Sequence, residues 1–404
     1  MTDAGDVEGL LRAAAPRALG AQVRRRGDFA DAEDAVQEAL LAAATEWPAR
    51  GVPDDPTAWL VRVADRRLVD AWRSDSARRR REESVAVAES PSDVPDTDDS
   101  LQLLFLCCHP SLTRASQVAL TLRAVGGLTT DQIAHGFLVP TTTIAQRISR
   151  AKATLRDATF ALPAADELPA RFDAVAAVIY LVFTEAHTAS SGDSLVRVDL
   201  ADEAVRLGRL LLALVRAEPA LVGQFGEAAG LLALMLLTQS RRAAGTDPYG
   251  RLVPLPEQDR ALWDRALIDE GVALITGALA DAPIGPYQLQ AAVTAVHAEA
   301  RAAGDTDWRE ILGLYDMLVA LAPSPMTRLN RVVALAVVDG PAAGLLALDT
   351  VTDPTLAGHH RSHAVRAHLL EEVGDLPGAR REYEIAADLR PGPASNGGRG
   401  GLSG

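Results

Sequence analysis

The sequence predicts an all-α protein with more than one domain. Alanine, leucine and arginine dominate the composition, aromatic residues make up only 4% of the chain, and alternating valine and isoleucine is scarce. These features favour helices over strands. A chain of 404 residues is also too long for one typical hydrophobic core, so we expect two or three domains.

Charge is distributed unevenly along the chain. The net charge is −14, and the first 160 residues carry 20 basic and 23 acidic groups, whereas the remainder carries 20 and 31. Residues 101–160 hold six basic residues against two acidic ones. Because phosphate repels an acidic surface, we expect any nucleic-acid contact in the N-terminal part.

Cysteine usage and the N-terminal pattern predict a cytoplasmic protein. Cys107 and Cys108 are adjacent, and one neighbouring pair does not form a disulfide framework. The first residues lack a basic-then-apolar signal pattern. The longest apolar runs, 174–183 and 228–237, are about half the length that a bilayer requires, so we expect core helices and no membrane partner.

Residues 1–83 are predicted to form a compact helical domain. In the segment 31–47, DAEDAVQEALLAAATEW, an apolar stripe runs through Val36, Leu40 and Ala43. A neighbouring face holds side chains that need not be buried: Asp34, Gln37, Glu38 and Leu41.

A helix that mixes arginines with indoles follows a Pro/Gly/Asp loop at 50–56. Its sequence at 57–73 is TAWLVRVADRRLVDAWR. Such side chains suit a nucleic-acid strand with unstacked bases, where rings hold the base faces and charges hold the backbone. The alternative is that Trp59 and Trp72 belong to the core and the arginines to a solvated face.

Residues 101–160 contain two helical patterns around a short break. Thr129 or Thr130 is expected to cap the first helix, and Val139-Pro140 ends it. Thr141, Thr142 and Thr143 offer hydroxyls to cap the second helix. Its apolar stripe is Ile144, Ile148, Ala151 and Leu155. A short helix, a turn and a second helix with amide, guanidinium and hydroxyl groups outward predict a DNA-binding helix-turn-helix.

The order of these pieces resembles extracytoplasmic-function sigma factors of the sigma-70 family, bacterial transcription initiation subunits reduced to two regions. The resemblance rests on DAEDAVQEALLAAATEW, PTAWLVRVADRRLVDAWR and the turn LVPTTTIAQRISRAK, and it covers roughly residues 8–158. It implies a non-enzymatic factor without a cofactor. The implied partners are RNA polymerase core, through its β′ clamp and β flap, and promoter DNA.

The resemblance also implies roles for individual residues. Polymerase core would bind Asp34, Gln37, Glu38 and Leu41. The −10 element would contact Arg50, Asp54, Asp55, Trp59, Arg62, Arg66, Arg67 and Arg73. The −35 element would contact Thr142, Thr143, Gln146, Arg147, Arg150 and Lys152. This sequence departs from the family at Ala64-Asp65, where a less acidic pair is usual, and at Leu138, where glycine is common.

Residues 84–100 are predicted to be an acidic flexible linker, since the stretch is rich in acids and poor in apolar residues. In the sigma-factor interpretation it threads toward the polymerase active cleft. A solvated spacer is the alternative.

Residues 168–390 are predicted to form a helical extension that a minimal sigma factor lacks. Asp307 and Tyr315 recur as Asp375 and Tyr383, 68 positions later, which is twice the 34-residue tetratricopeptide period. Stretches 285–300 and 307–335 resemble a subgroup with a tetratricopeptide-like extension. That resemblance implies that the extension governs activity, by binding a regulatory protein or the chain's own DNA-binding half. Residues 391–404 are predicted to be a disordered tail.

Three other clusters are not predicted to be metal or catalytic sites. Cys107, Cys108 and His109 lack a tetrahedral ligand set, and Glu185 with His187 lacks a nucleophile. The histidines at 359, 360, 363 and 368 lack a completing carboxylate or thiol in sequence. Two rival functions stay open at this point. One is a stand-alone helix-turn-helix transcription regulator with a repeat-type sensor domain, and the other is a repeat scaffold protein.

Overall fold

The computed structural model describes residues 4–79, 99–137, 139–156, 158–188, 194–247, 251–351, 356 and 358–389. Within these residues, seventeen α-helices form the regular structure, and the predicted all-α class is confirmed. The chain divides into two compact units, Met1–Met235 with Pro248–Leu252, and Leu236–Asp247 with Val253–Gly404. The predicted tail and most of the predicted linker, residues 84–98, lie outside the described residues, as does Leu138.

The first unit begins with a bundle of three helices. They are α1 (Ala4–Arg26), α2 (Phe29–Arg50) and α3 (Pro56–Arg79). Asp28 caps α2 by accepting the backbone N–H groups of Ala30 and Asp31, at 2.7 and 3.0 Å. Gly27 has a φ of +79°, which permits the sharp turn from α1 into α2. The bundle buries small residues of α2 at close contact, including Ala32, Ala35 and Ala39.

Six further helices belong to the first unit. They are α4 (Ser100–Cys107), α5 (Arg114–Ala124), α6 (Thr130–Gly136), α7 (Thr141–Thr154), α8 (Leu168–Thr188) and α9 (Ser194–Ala217). The sequence prediction began a separate extension at residue 168, but the structure places the division after Met235. Two hydrogen bonds explain the difference. Arg114 donates to the carbonyl of Ala174 at 2.9 Å, and Arg206 donates to the carbonyl of Val125 at 2.8 Å. The first helices of the extension therefore share a core with residues 101–160.

Helix α10 (Phe225–Gln239) carries the division between the units. The helical stretch Pro219–Ala244, which contains α10, is long and apolar enough to cross a bilayer by length and composition alone. However, 67% of its most apolar window is buried inside the protein. A core helix has this property, as the sequence predicted for the run 228–237.

The second unit is a series of antiparallel-length helices joined by short turns. They are α11 (Arg265–Asp281), α12 (Pro286–Glu299), α13 (Trp308–Leu321), α14 (Pro325–Asp339), α15 (Pro341–Thr350), α16 (His360–Glu372) and α17 (Leu376–Asp388). The 68-residue recurrence has a structural basis, because Asp307 and Asp375 each cap a helix with their side chain. Gly340 and Gly374, 34 residues apart, both adopt a positive φ, +94° and +88°. The repeat is thus one of capped helices and glycine turns, and its tetratricopeptide identity stays a prediction.

Candidate nucleic-acid and polymerase interface

The outward face of α2 has the composition of a protein-docking surface. Its four predicted polymerase contacts are spaced 3, 4 and 7 residues apart, so they share one side of the helix. Asp34 and Glu38 are exposed, Gln37 is half-buried, and Leu41 leaves 69% of its surface in solvent. An exposed leucine flanked by carboxylates is an apolar contact with an acidic rim. We call this face, Asp34, Gln37, Glu38 and Leu41, the α2 face.

Helix α3 presents a row of arginines beside the α2 face. Arg62, Arg66 and Arg67 are exposed, and the Nε atom of Arg67 lies 3.4 Å from a carboxylate oxygen of Glu38. Helix α3 includes Arg73 and Trp72, but the side chains of these two residues are not among those described. The structure therefore gathers three of the four predicted −10 arginines of this helix on one exposed surface.

Trp59 combines the two interpretations that the sequence left open for the indoles. It is half-buried, and its ring packs edge-on against Trp47, with centroids 5.5 Å apart and planes at 72°. Trp47 itself is fully buried. One edge of the Trp59 indole is thus fixed by the core while part of the ring stays accessible, as a stacking platform requires.

The loop between α2 and α3 uses part of its polar set for local structure. Asp55 accepts the backbone N–H of Ala58 at 2.9 Å, so this carboxylate caps α3. Arg50 forms an exposed ion pair with Glu46 at 2.9 Å, whereas Asp54 is exposed. Asp55 therefore has a structural role besides its predicted −10 contact.

Asp65, one of the two departures from the family pattern, has a structural explanation. Its carboxylate lies 2.9 Å from Nη1 of Arg25 and 3.5 Å from Nη2 of Arg26, both in the last turn of α1. The preceding residue, Ala64, is fully buried. The acid therefore ties α3 to the basic end of α1, and its charge is balanced within the protein.

The helix-turn-helix forms as predicted at α6 and α7, with one difference in capping. Thr129 and Gln132 exchange hydrogen bonds, which form a capping box at the start of α6. The prediction that threonines cap α7 is wrong, because Pro140 occupies that position without a side-chain bond. Thr141 instead donates to Asp131 at 2.9 Å and so joins the two helices.

Helix α7 separates a buried stripe from a polar face. Ile144, Ile148, Ala151 and Leu155 are all buried, as predicted. Thr142, Gln146 and Arg150 are exposed at intervals of four residues, and Thr143 and Arg147 are half-buried beside them. Amide and guanidinium groups in one row can form bidentate hydrogen bonds with base edges in a major groove.

Lys152 lies apart from that row. Its side chain is only 13% exposed, and its ammonium group contacts Glu33 and lies 2.7 Å from Asp34, both in α2. In this conformation the lysine therefore neutralises protein carboxylates, and a DNA contact by Lys152 requires that it leave them.

Glu33 is a residue that the sequence reasoning missed. Its side chain is 2% exposed and accepts a hydrogen bond from Nε of Arg123 at 2.9 Å, in addition to the Lys152 contact. Burial alone lowers the pKa of Lys152, but the charge of Glu33 and hydrogen bonds to Asp34 and Glu33 outweigh it and raise that pKa. We call Glu33, Asp34, Arg123 and Lys152 the Glu33 cluster. A charge at the edge of an alanine-rich stripe was the available signal.

The clusters that the sequence did not favour as metal sites have other roles where the structure describes them. Cys107 and Cys108 are free and fully buried, and burial raises the pKa of both thiols, that of Cys108 to about 11. His363 lies 2.6 Å from Glu382, and His359 caps α16. No group of three potential metal ligands occurs among the described residues. The side chains of Glu185 and His187 lie outside them.

Three family models match the chain. They are sigma-70 region 2 over residues 10–78, sigma-70 region 4 over residues 102–155, and a family of unknown function, DUF6596, over residues 171–279. The first two coincide with the α1–α3 bundle and with α4–α7. The third begins in α8 and ends in α11.

Two curated relatives are informative. The chain is 41% identical over 405 residues to "Uncharacterized protein R00370" of Rhizobium meliloti (strain 1021), which covers 96% of this chain and 93% of the relative. It is 31% identical over 150 residues to "Probable ECF RNA polymerase sigma factor SigI" of Mycobacterium tuberculosis, in strains CDC 1551 / Oshkosh and ATCC 25618 / H37Rv. That similarity covers 34% of this chain and 50% of the relative.

Proposed function

Since the chain belongs to the sigma-70 family, as an extracytoplasmic-function sigma factor with a C-terminal extension, we propose a division of labour within its first unit. Its partners are RNA polymerase core and promoter DNA. The α2 face binds the β′ clamp, α3 and the preceding loop contact the melted −10 element, and α7 reads the −35 element while α4–α7 meet the β flap. The protein acts as a binding subunit in the cytoplasm. The rival interpretations, a stand-alone regulator or a scaffold, give no role to a region 2.

The observation that carries the polymerase assignment is Leu41, 69% exposed between the carboxylates of Asp34 and Glu38. Single large apolar side chains in solvent are common, but one in the middle of an acidic helix face is a typical anchor for a partner. The α2 face is also free of the bundle core, so substitutions there leave the packing of α1–α3 intact.

Charge reversal on the α2 face tests this assignment. Glu38→Lys should weaken assembly with polymerase core, because it places a cation where the partner meets acids. Glu46→Lys is the matched control, since it makes the same change in the same helix roughly 80° around the axis from Glu38. The measurement is the affinity of each variant for core polymerase. Normal assembly of Glu38→Lys, or equal losses in both variants, would refute the placement.

We further propose that the Glu33 cluster holds the protein in a closed form. Asp34 belongs both to the α2 face and to this cluster, where it pairs with Lys152 at 2.7 Å. Polymerase contact with Asp34 and the Lys152 pair therefore compete for one carboxylate. The same competition occupies Lys152, which is then unavailable to DNA. Release of α7 from α2 frees both surfaces together.

The first helices of the extension support this closed form. Arg206 in α9 bonds the carbonyl of Val125 at 2.8 Å and pairs with the buried Glu203 at 2.7 Å. Together with the bond from Arg114 to the carbonyl of Ala174, this fixes α8 and α9 against α5. We propose that the extension governs activity by setting how readily α4–α7 leave the α1–α3 bundle. The experiment that tests this opens the Discussion.

A further inference from the structure

Four segments of the second unit converge near the end of α12. The backbone N–H of Asp264 donates to the carbonyl of Ser240 at 2.8 Å, which brings the turn before α11 beside the residues that follow α10. Nη1 of Arg260 donates to the carbonyls of His297 and Ala300 at 2.6 and 2.7 Å. These bonds join the segment around Arg241 to the segment around Arg260 and to the end of α12.

Aromatic rings line the same place. The Arg260 guanidinium lies over the ring of Trp263, with its carbon 4.4 Å from the ring centroid. The His297 ring packs edge-on against Trp308, with centroids 5.2 Å apart and planes at 79°. We call Arg241, Arg260, Trp263, His297 and Trp308 the Arg241 cluster.

Arg241 is the exceptional member of this cluster. Its guanidinium forms no hydrogen bond or ion pair with any residue that the structure describes. Burial lowers its pKa, and the one opposing electrostatic influence comes from Tyr315, not from a carboxylate. Other part-buried arginines of this chain have an acidic or carbonyl partner, such as Glu33 for Arg123. A guanidinium taken from water without an anion is unfavourable, because its hydration is lost and nothing replaces it.

The neighbouring groups are also hydrogen-bond donors without acceptors. Trp263 is 4% exposed, and its indole Nε1–H is buried with no partner among the described residues. His297 forms no side-chain hydrogen bond there either, and burial, followed by the charges of Arg241 and Arg260, lowers its pKa to about 4. Its imidazole is thus neutral near pH 7 and still has one N–H to donate. Asp305 influences only Arg260.

We propose that the Arg241 cluster binds the oxyanion group of a small molecule, a phosphate or a carboxylate, with Arg241 as its charged anchor. A guanidinium matches two oxygens of such a group at once, and a neutral imidazole supplies a further donor. The Trp308 ring beside His297 provides an apolar wall for the rest of the molecule. The second unit is then a receptor for a small anionic ligand.

Anion titration of the full-length protein tests this proposal. Sodium phosphate and, separately, sodium acetate are added at constant ionic strength made up with chloride, and tryptophan fluorescence and thermal melting are followed. We expect a saturable response in the millimolar range or tighter to at least one anion, and which one responds identifies the group. Arg241→Gln should weaken that binding by about tenfold or more. Arg380→Gln, which removes the same charge from an exposed site on α17, should leave it unchanged.

Two further variants keep the test decisive if Arg241→Gln fails to fold. Arg241→Lys retains the charge but not the two-pronged geometry, and His297→Gln retains one donor, so each should weaken binding less than Arg241→Gln. The proposal is overturned if neither anion gives a saturable response, or if the Arg241 and His297 variants bind like Arg380→Gln. Because polymerase and DNA are absent from the assay, its failure would leave the sigma-factor assignment untouched.

Discussion

Neutralising Glu33 is the most direct test of the closed form. Glu33→Gln keeps the size of the side chain and removes the charge that Arg123 and Lys152 share. Removing one partner of a buried ion pair typically costs about 3–5 kcal/mol. Both cations keep some solvent contact, 17% and 13%, and Lys152 keeps Asp34 at 2.7 Å, so the cost here belongs at the lower end, about 3 kcal/mol.

That cost falls on the contact between α2 and α7 and so shifts the balance toward the open form. A change of about 3 kcal/mol corresponds to roughly a hundredfold change in an equilibrium constant. We therefore expect Glu33→Gln to bind core polymerase more tightly and to start promoter-specific transcription at lower concentration. The raised pKa of Lys152 makes the cluster fully effective below its ordinary pKa of 10.5 and lost only as pH rises beyond it, so the effect is constant through the neutral range.

The assay is a titration of core polymerase with each variant, followed by transcription from a cognate promoter. Glu203→Gln is the matched control, because Glu203 is equally buried and pairs with Arg206, but within a single helix of the extension. It should lower stability without improving core binding. If Glu33→Gln is folded and binds core no better than the original protein, the closed form does not compete with polymerase and the argument fails. A gain shared by Glu203→Gln would point to general loosening instead.

Three further predictions concern separate parts of the molecule. Arg150→Ala should cost about 1–3 kcal/mol in promoter discrimination, whereas Arg156→Ala should weaken all promoters alike; start-site mapping that finds no change for Arg150→Ala would exclude α7 as the reader. The thiol of Cys108, with its pKa raised by burial from 9.0 to about 11, should resist alkylation at neutral pH, and its contribution to stability should vanish as pH rises from 9.0 toward 11; rapid alkylation of folded protein would contradict this burial. Gly374→Ala should lower the free energy of unfolding by about 1–2 kcal/mol in urea titrations, because φ there is +88° and no neighbouring atom lies where the methyl group would enter.

The sequence predicted the parts of this fold that follow from periodicity. The stripe of Ile144, Ile148 and Ala151 defined α7, and the spacing of Asp34, Glu38 and Leu41 defined one exposed face, because helical geometry alone fixes which side chains share a side. The 34-residue spacing of Gly340 and Gly374 likewise identified two turns that require a positive φ. These features are local, and their physical causes lie within a few residues of chain.

Contacts between distant segments could not be predicted in the same way. Glu33 and Lys152 are far apart in sequence, and nothing in either neighbourhood marks the other as its partner. The predicted boundary near residue 168 also misplaced α8 and α9, since an apolar helix in sequence does not reveal which surface it covers. The threonines before α7 could each have capped it, and a proline took that position because the loop geometry already placed it there.

The arrangement of acids on α2 gives the closed form its logic. Helix α2 carries two neighbouring carboxylates with different surroundings, since Glu33 is 2% exposed whereas Asp34 is 73% exposed. Lys152 contacts both of them, so one end of its interaction is anchored in the core and the other is open to competition. A partner that takes Asp34 removes only the solvent-accessible half of the interaction, and exposed pairs contribute little, typically below about 1 kcal/mol. Polymerase core can therefore begin to displace α7 at small cost, while the buried half keeps free protein closed. Removing Asp34 alone should for this reason have a much smaller effect on closure than removing Glu33.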